Sequence, residues 1–145
     1  MKKKAMPAGR QGFSLMELLI VIAVIGILVS VSVVSYSSAQ KKGRDSRRHT
    51  DLKAMQNAWE QYYADNNANY PSSCSVSATY LPGGLPTDPK TGTAYTSTTG
   101  WSTCTLSTYC FCAALEGETN VKTDCNGNNT KPTGYPGMDC VMNLQ

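Results

Sequence analysis

Hydrophobic and polar residues divide this chain into three regimes. From Leu18 to Gln40 no residue carries a formal charge, and the surrounding stretch GFSLMELLIVIAVIGILVSVSVV, Gly12 to Val34, is apolar on every side apart from Glu17 and a few serines. At ~1.5 Å per residue, a helix of about 20 such residues covers the roughly 30 Å of a bilayer core. The pattern predicts a membrane helix. Beyond it the pattern becomes one-sided: Leu52, Met55, Trp59 and Tyr62 fall at i, i+3, i+7 and i+10, one face of a helix that packs under a sheet. No proline occurs between Pro7 and Pro71, so the helix is expected to run unbroken to about Asn66, ~80 Å from Phe13 if fully helical. Gly26 and Gly43 are its weak points, each costing about 1 kcal/mol relative to alanine.

The third regime has no long period. Asn66 to Pro71 is rich in turn formers, and Leu81-Pro82-Gly83-Gly84-Leu85-Pro86-Thr87-Asp88-Pro89-Lys90-Thr91-Gly92 reads as a chain of turns. Ala94 to Thr98 and Thr108 to Leu115 have the β-branched and aromatic content of strands, with a turn at Glu116-Gly117-Glu118. An extended second segment places Cys110 and Cys112 on one face, free to bond to different partners.

Charge changes the picture at the N-terminus. The formal net charge is +3, yet four of the thirteen basic residues, Lys2, Lys3, Lys4 and Arg10, precede Gly12 and none of the ten acidic ones does. Without residues 1–12 the side chains sum to −1, so overall charge offers no argument for nucleic-acid binding. The six cysteines, Cys74, Cys104, Cys110, Cys112, Cys125 and Cys140, all follow the membrane segment. That placement suits an oxidising exterior in which disulfides supplement a thin core; fifteen pairings are open.

Glu17 is out of place at the head of an apolar run. An ionised carboxylate deep in lipid costs about 2.5–3.5 kcal/mol unless it finds a partner or snorkels to the headgroups. A cut between Gly12 and Phe13 would create such a partner, an α-amino group one helical turn away in the same chain or on a neighbour.

The basic residues 2–10 followed by Gly12-Phe13-Ser14-Leu15-Met16-Glu17-Leu18 and an apolar helix resemble the class III signal of type IV pilins and type II secretion pseudopilins. The run Leu81 to Gly92 followed by Tyr95 is similar to the segment that precedes the sheet in major pseudopilins. The resemblance implies an α+β fold with a long N-terminal helix packed on a small antiparallel sheet with disulfide-tied loops. The parts are a prepilin leader (1–12), a transmembrane and filament-core helix (13–40), an amphipathic helix (41–66) and a globular β head (67–145). It further implies cleavage after Gly12 by a prepilin peptidase on the cytoplasmic face, N-methylation of Phe13, and pairing of Glu17 with the terminal amine of an adjacent subunit. The partners it implies are other copies of the chain, the peptidase and an inner-membrane assembly platform. A C-terminal disulfide through Cys125 or Cys140 is also expected, as in many pilins.

Other readings compete. Ser30, Ser32 and Ala39 offer small residues for a conventional secretory cut, and an uncleaved anchor is equally simple. Lys41, Lys42, Arg44, Arg47 and Arg48 balance the N-terminal basic residues, so charge alone leaves orientation open. With Asp45 and Asp51 close by, the 41–49 cluster reads as a solvated or intersubunit helix face rather than a phosphate site. Asp124, Asn126 and Asn128 alternate like the start of a calcium loop, without the expected glycine at Asn129 or the closing glutamate at Tyr135. Major pseudopilins often bind calcium in a head loop, so the resemblance makes these three weak calcium candidates, but a plain Asn/Gly turn is the favoured reading and no cofactor is required. C-x-C spacing without a second pair is poor for zinc. Trp101, Tyr80, Tyr109 and Tyr135 are the aromatics an adhesive or DNA-uptake head would use. With His49 the only histidine, no nucleophile, base and orienter set assembles, and no enzyme is expected.

Overall fold

The computed structural model describes residues 12–97, 102–122, 124–128 and 132–144. Helix α1, Leu15–Asp65, is continuous through Gly26 and Gly43. The chain divides into two compact units, Met1–Ser37 and Ser38–Gln145.

In the second unit three antiparallel strands, β1 (Ser102–Cys104), β2 (Tyr109–Leu115) and β3 (Gly137–Met142), pair in the order β1-β2-β3. Alternation along β2 sorts its side chains. Tyr109, Phe111 and Ala113 join Leu52, Met55, Ala58 and Trp59 of α1 in the main core, while Cys110 and Cys112 join Met138 and Cys140 on the other face. Trp59 meets Phe111 edge-on at 4.8 Å between ring centroids, and Tyr70 meets Tyr109 at 4.9 Å.

The fourth position of the helical stripe shifts by one. Tyr63, not Tyr62, packs against the core, and Tyr62 stands beside Tyr80 instead. The helix closes at Asn66 to Ala68, where Ala68 N–H donates to the Tyr63 carbonyl and Asn67 takes a left-handed φ of 53°. Glu60 then ties down the segments that follow, accepting from the hydroxyls of Tyr109 (2.8 Å) and Tyr70 (3.1 Å) and from Leu144 N–H (3.1 Å). Burial, followed by Glu60, pushes the Tyr70 hydroxyl up to about 12.

The expected strand at Ala94–Thr98 is not one. Ala94 makes an isolated bridge to Thr87, and Tyr95–Ser97 form a single 3-10 turn; Thr98 lies outside the described residues. Burial of Tyr95, with its hydroxyl donating to Asp51, outweighs β-propensity there. The strand expected at Thr108–Leu115 is β2, one residue shorter; β1 and β3 had no clear signal in the sequence.

Candidate functional site

The first turn of α1 is closed by its own side chains. Met16 N–H donates to Ser14 Oγ and Ser14 N–H to Glu17 Oε2, both at 3.3 Å. Glu17 reaches back to the cap amide as in a Ser-x-x-Glu capping box, while Ser14 Oγ takes the N2 amide rather than N3, and a carboxylate stands at the positive end of the helix. Gly12 and Phe13 precede it and are exposed. A Cβ built on Gly12 or on Gly26 meets nothing within 4 Å, so packing within the chain does not require glycine at either position.

From Leu15 onward the helix is long and apolar enough to cross a membrane by length and composition. Its large apolar side chains among the described residues 15–33, including Leu18, Ile20, Ile22, Val24, Ile27 and Val31, are at least half exposed. Ser30, Ser32 and Ser35 donate to the carbonyls of Ile27, Leu28 and Val31, which satisfies each hydroxyl within the helix.

In the second unit the basic cluster departs from expectation. Arg48 is fully buried and donates to Asp88 (Nε to Oδ2, 2.7 Å) and to Asp45 (Nη1 to Oδ1, 2.8 Å); its Nη1 lies 2.9 Å from Glu116 Oε1. Arg44 forks onto Glu116 at 2.9 and 2.8 Å, and Lys90 Nζ reaches the same carboxylate at 3.2 Å. Asp45, also fully buried, accepts from the backbone amides of Glu116 and Gly117. These arginines are therefore not a solvated face: they clamp the loop at Asp88 and the end of β2 to the helix, because Glu116 and Asp88 lie far off in sequence but close in the fold. Hydrogen bonds from Arg44 hold the Glu116 carboxyl at about 2; burial opposes them, and Lys90 and Arg48 add to the effect. Lys41, Lys42 and Arg47 keep the exposure that the sequence suggested.

His49 sits between two carboxylates, with Nδ1 2.5 Å from Asp139 and Nε2 3.2 Å from Glu118. Burial disfavours its charge, but Asp139 and then Glu118 outweigh burial and raise its pKa.

All six cysteines are paired: Cys74–Cys104, Cys110–Cys125 and Cys112–Cys140. The last joins directly opposed residues of β2 and β3. In the loop of the weak calcium candidates, Asp124 Oδ1 accepts the backbone amides of Asn126 and Asn128, so this oxygen is engaged by its own loop. Of the aromatics proposed for an adhesive surface, Tyr109 is core, Tyr80 and Tyr135 are half-buried with Lys90 over the Tyr135 ring, and Trp101 lies outside the described residues, as does Asn129.

Residues 7–33 match the model of the prokaryotic N-terminal methylation motif. The type II secretion system core protein G of Aeromonas hydrophila is 30% identical over 96 residues, 55% of this chain and 67% of that protein. The chain belongs to the type IV pilin and type II secretion pseudopilin family. The family is one of structural subunits, not enzymes. Core protein G of Escherichia coli K12 is 33% identical over 64 residues, 44% of this chain and 43% of that protein. The type IV major pilin protein PilA of Myxococcus xanthus is 33% identical over 57 residues, 39% of this chain and 26% of that protein. The chain thus spans less than half the length of the latter two. No solved structure matches it.

The match to the methylation motif bears on the N-terminal segment. Here it covers Gly12, Phe13 and Glu17 and most of the exposed apolar helix. The charge lattice is what sequence reasoning missed. Its signal was the burial-prone spacing of Asp45 and Arg48, three residues apart on the helix face that leads to Leu52.

Proposed function

We propose that this chain is a filament subunit of the type II secretion pseudopilus class, made as a membrane-held prepilin, cut after Gly12 and N-methylated on Phe13. The observation that carries this is the apolar helix beginning at Leu15, whose large apolar side chains among the described residues 15–33 are at least half exposed. Lipid satisfies such a surface before assembly, and the helices of other copies satisfy it afterwards. The precursor is then a membrane protein and its product a periplasmic or cell-surface filament, built by a prepilin peptidase and an inner-membrane platform. Two glycines support the reading. Gly12 and Gly26 have no intrachain reason to be glycine, which fits a peptidase that requires a small residue at the cut and neighbours that approach the helix closely. The pseudopilus is favoured over a pilus because the Aeromonas secretion protein aligns over far more of its length than the Myxococcus pilin does.

Cleavage turns the N-terminus into a cation. Glu17, which caps its own first turn, is the anion available to the Phe13 ammonium of an adjacent copy when both leave lipid. Two substitutions separate charge from capping: Glu17→Gln keeps a cap acceptor without the charge, and Glu17→Ala removes both. Filament incorporation is expected to fail in both while the chain accumulates in the membrane with its disulfides formed. Normal incorporation of Glu17→Gln would show that capping, not charge pairing, is what Glu17 supplies.

A further inference from the structure

The two disulfides on the outer face of the sheet touch one another. The sulfurs of Cys110, Cys112 and Cys125 all lie within 4.8 Å of each other, although Cys110 is bonded to Cys125 and Cys112 to Cys140. Across the two bonds, Cys112 Sγ is 3.7 Å from Cys125 Sγ and 4.0 Å from Cys110 Sγ, close to van der Waals contact for sulfur. Burial is uneven. Cys110, Cys112 and Cys140 are at most 6% exposed, while Cys125 is half-buried.

We propose that these four cysteines form a thiol–disulfide exchange centre in which Cys125 moves between Cys110 and Cys112, under attack by an external dithiol. The dithiol first reduces the Cys110–Cys125 bond: its two sulfurs become a disulfide, and Cys110 and Cys125 become thiols. The Cys125 thiolate then attacks Cys112 Sγ. A Cys112–Cys125 bond forms, the Cys112–Cys140 bond breaks, and Cys140 leaves as a thiolate that takes up a proton. No oxidant enters the second step, because one disulfide is exchanged for another. The step needs a thiolate that lines up behind the Cys112–Cys140 bond, and the 3.7 Å separation brings Cys125 Sγ within reach of Cys112 Sγ.

The order of cysteines in the chain gives the exchange a use. The pairs 110–125 and 112–140 interleave, whereas oxidation of cysteines in the order they leave the membrane joins neighbours first, Cys110 to Cys112 and Cys125 to Cys140. A cluster in which bonds interconvert without unfolding lets the most stable pairing be reached from a wrong one. Cys74–Cys104 is bonded outside this cluster.

The test uses the full chain in detergent with Cys110→Ser, which leaves a single thiol. At pH 8.5, where a thiol of ordinary pKa is about half ionised, the free thiol is trapped with iodoacetamide over time and located by mass spectrometry after chymotrypsin and Asp-N digestion. The expected result is alkylation divided between Cys125 and Cys140, slowing about tenfold or more at pH 7 with the thiolate fraction. Label confined to Cys125 at all times overturns the proposal. Label that spreads to Cys74 and Cys104 also overturns it, because exchange would then proceed through unfolding. If the variant does not accumulate, wild-type protein in a dithiothreitol redox buffer provides the same readout. Cys112–Cys125-linked peptides support the proposal, and loss of Cys110–Cys125 without them overturns it.

Discussion

Arg48 holds Asp88 through two parallel hydrogen bonds, Nε to Oδ2 at 2.7 Å and Nη2 to Oδ1 at 3.2 Å, across 40 residues of chain. Asp88 also accepts the amides of Lys90 and Thr91, so one carboxylate shapes its own turn and fixes that turn to the helix. Arg48→Met leaves Asp45, Asp88 and Glu116 without their shared cation. The expected loss is about 3 kcal/mol or more, read as a lower chemical-denaturation midpoint for the full chain in detergent. Arg48→Lys is expected to recover little of it, since an ammonium cannot make the bidentate contact.

His49 makes stability depend on pH near neutrality. Its folded pKa is raised above the ordinary 6.5, so its contribution is complete below about 6.5 and is lost as pH rises through the folded value. The groups facing it are Asp139 and Glu118, with Lys122 on Asp139 at 2.5 Å. Denaturation midpoints are expected to fall modestly between pH 6 and pH 8, and His49→Gln to flatten that slope.

The acid side has the opposite sign. Glu116 titrates at about 2 when folded against an ordinary 4.5, and Asp88 is also lowered. Their contribution is present above pH 4.5 and is lost as pH falls toward about 2. The expected acid transition moves to higher pH in Arg44→Ala; an unchanged transition would remove Arg44 from this account.

Gly137, the first residue of β3, has no room for a side chain. A Cβ there would collide with the Glu118 carbonyl oxygen and lie 2.6 Å from that of Asn120. Both atoms are backbone, so relief requires moving the 118–121 segment, where Met138 N–H donates to the Asn120 carbonyl and Val121 bridges Met138. Gly137→Ala is expected to destabilise by about 1–3 kcal/mol and to weaken amide-exchange protection at Met138.

The sequence made the long-period features legible and left the contacts between distant segments unread. The charge-free run from Leu18 and the Leu52, Met55, Trp59 spacing each announce a helix face by themselves, and α1 follows both. The site at Gly12, Phe13 and Glu17 is likewise contiguous and could be read as a motif. Arg48 and Asp88 could not, because each looks like an ordinary surface charge until the fold brings them together. The cysteine pairs were hidden for the same reason: fifteen connectivities share one sequence, and only the β2–β3 register places Cys112 opposite Cys140. β3 escaped notice because Gly137-Met138-Asp139-Cys140-Val141-Met142 opens on glycine and carries a single β-branched residue, Val141; its pairing with β2 creates it.

The most direct test of the filament-subunit reading is the N-terminus of the protein made with and without a prepilin peptidase. Intact mass and N-terminal sequencing are expected to show a chain beginning at Phe13, with one added methyl group where methylation is complete, only when the peptidase is present. A chain that begins near Ala39, or that retains Met1 in the presence of an active peptidase, would contradict it.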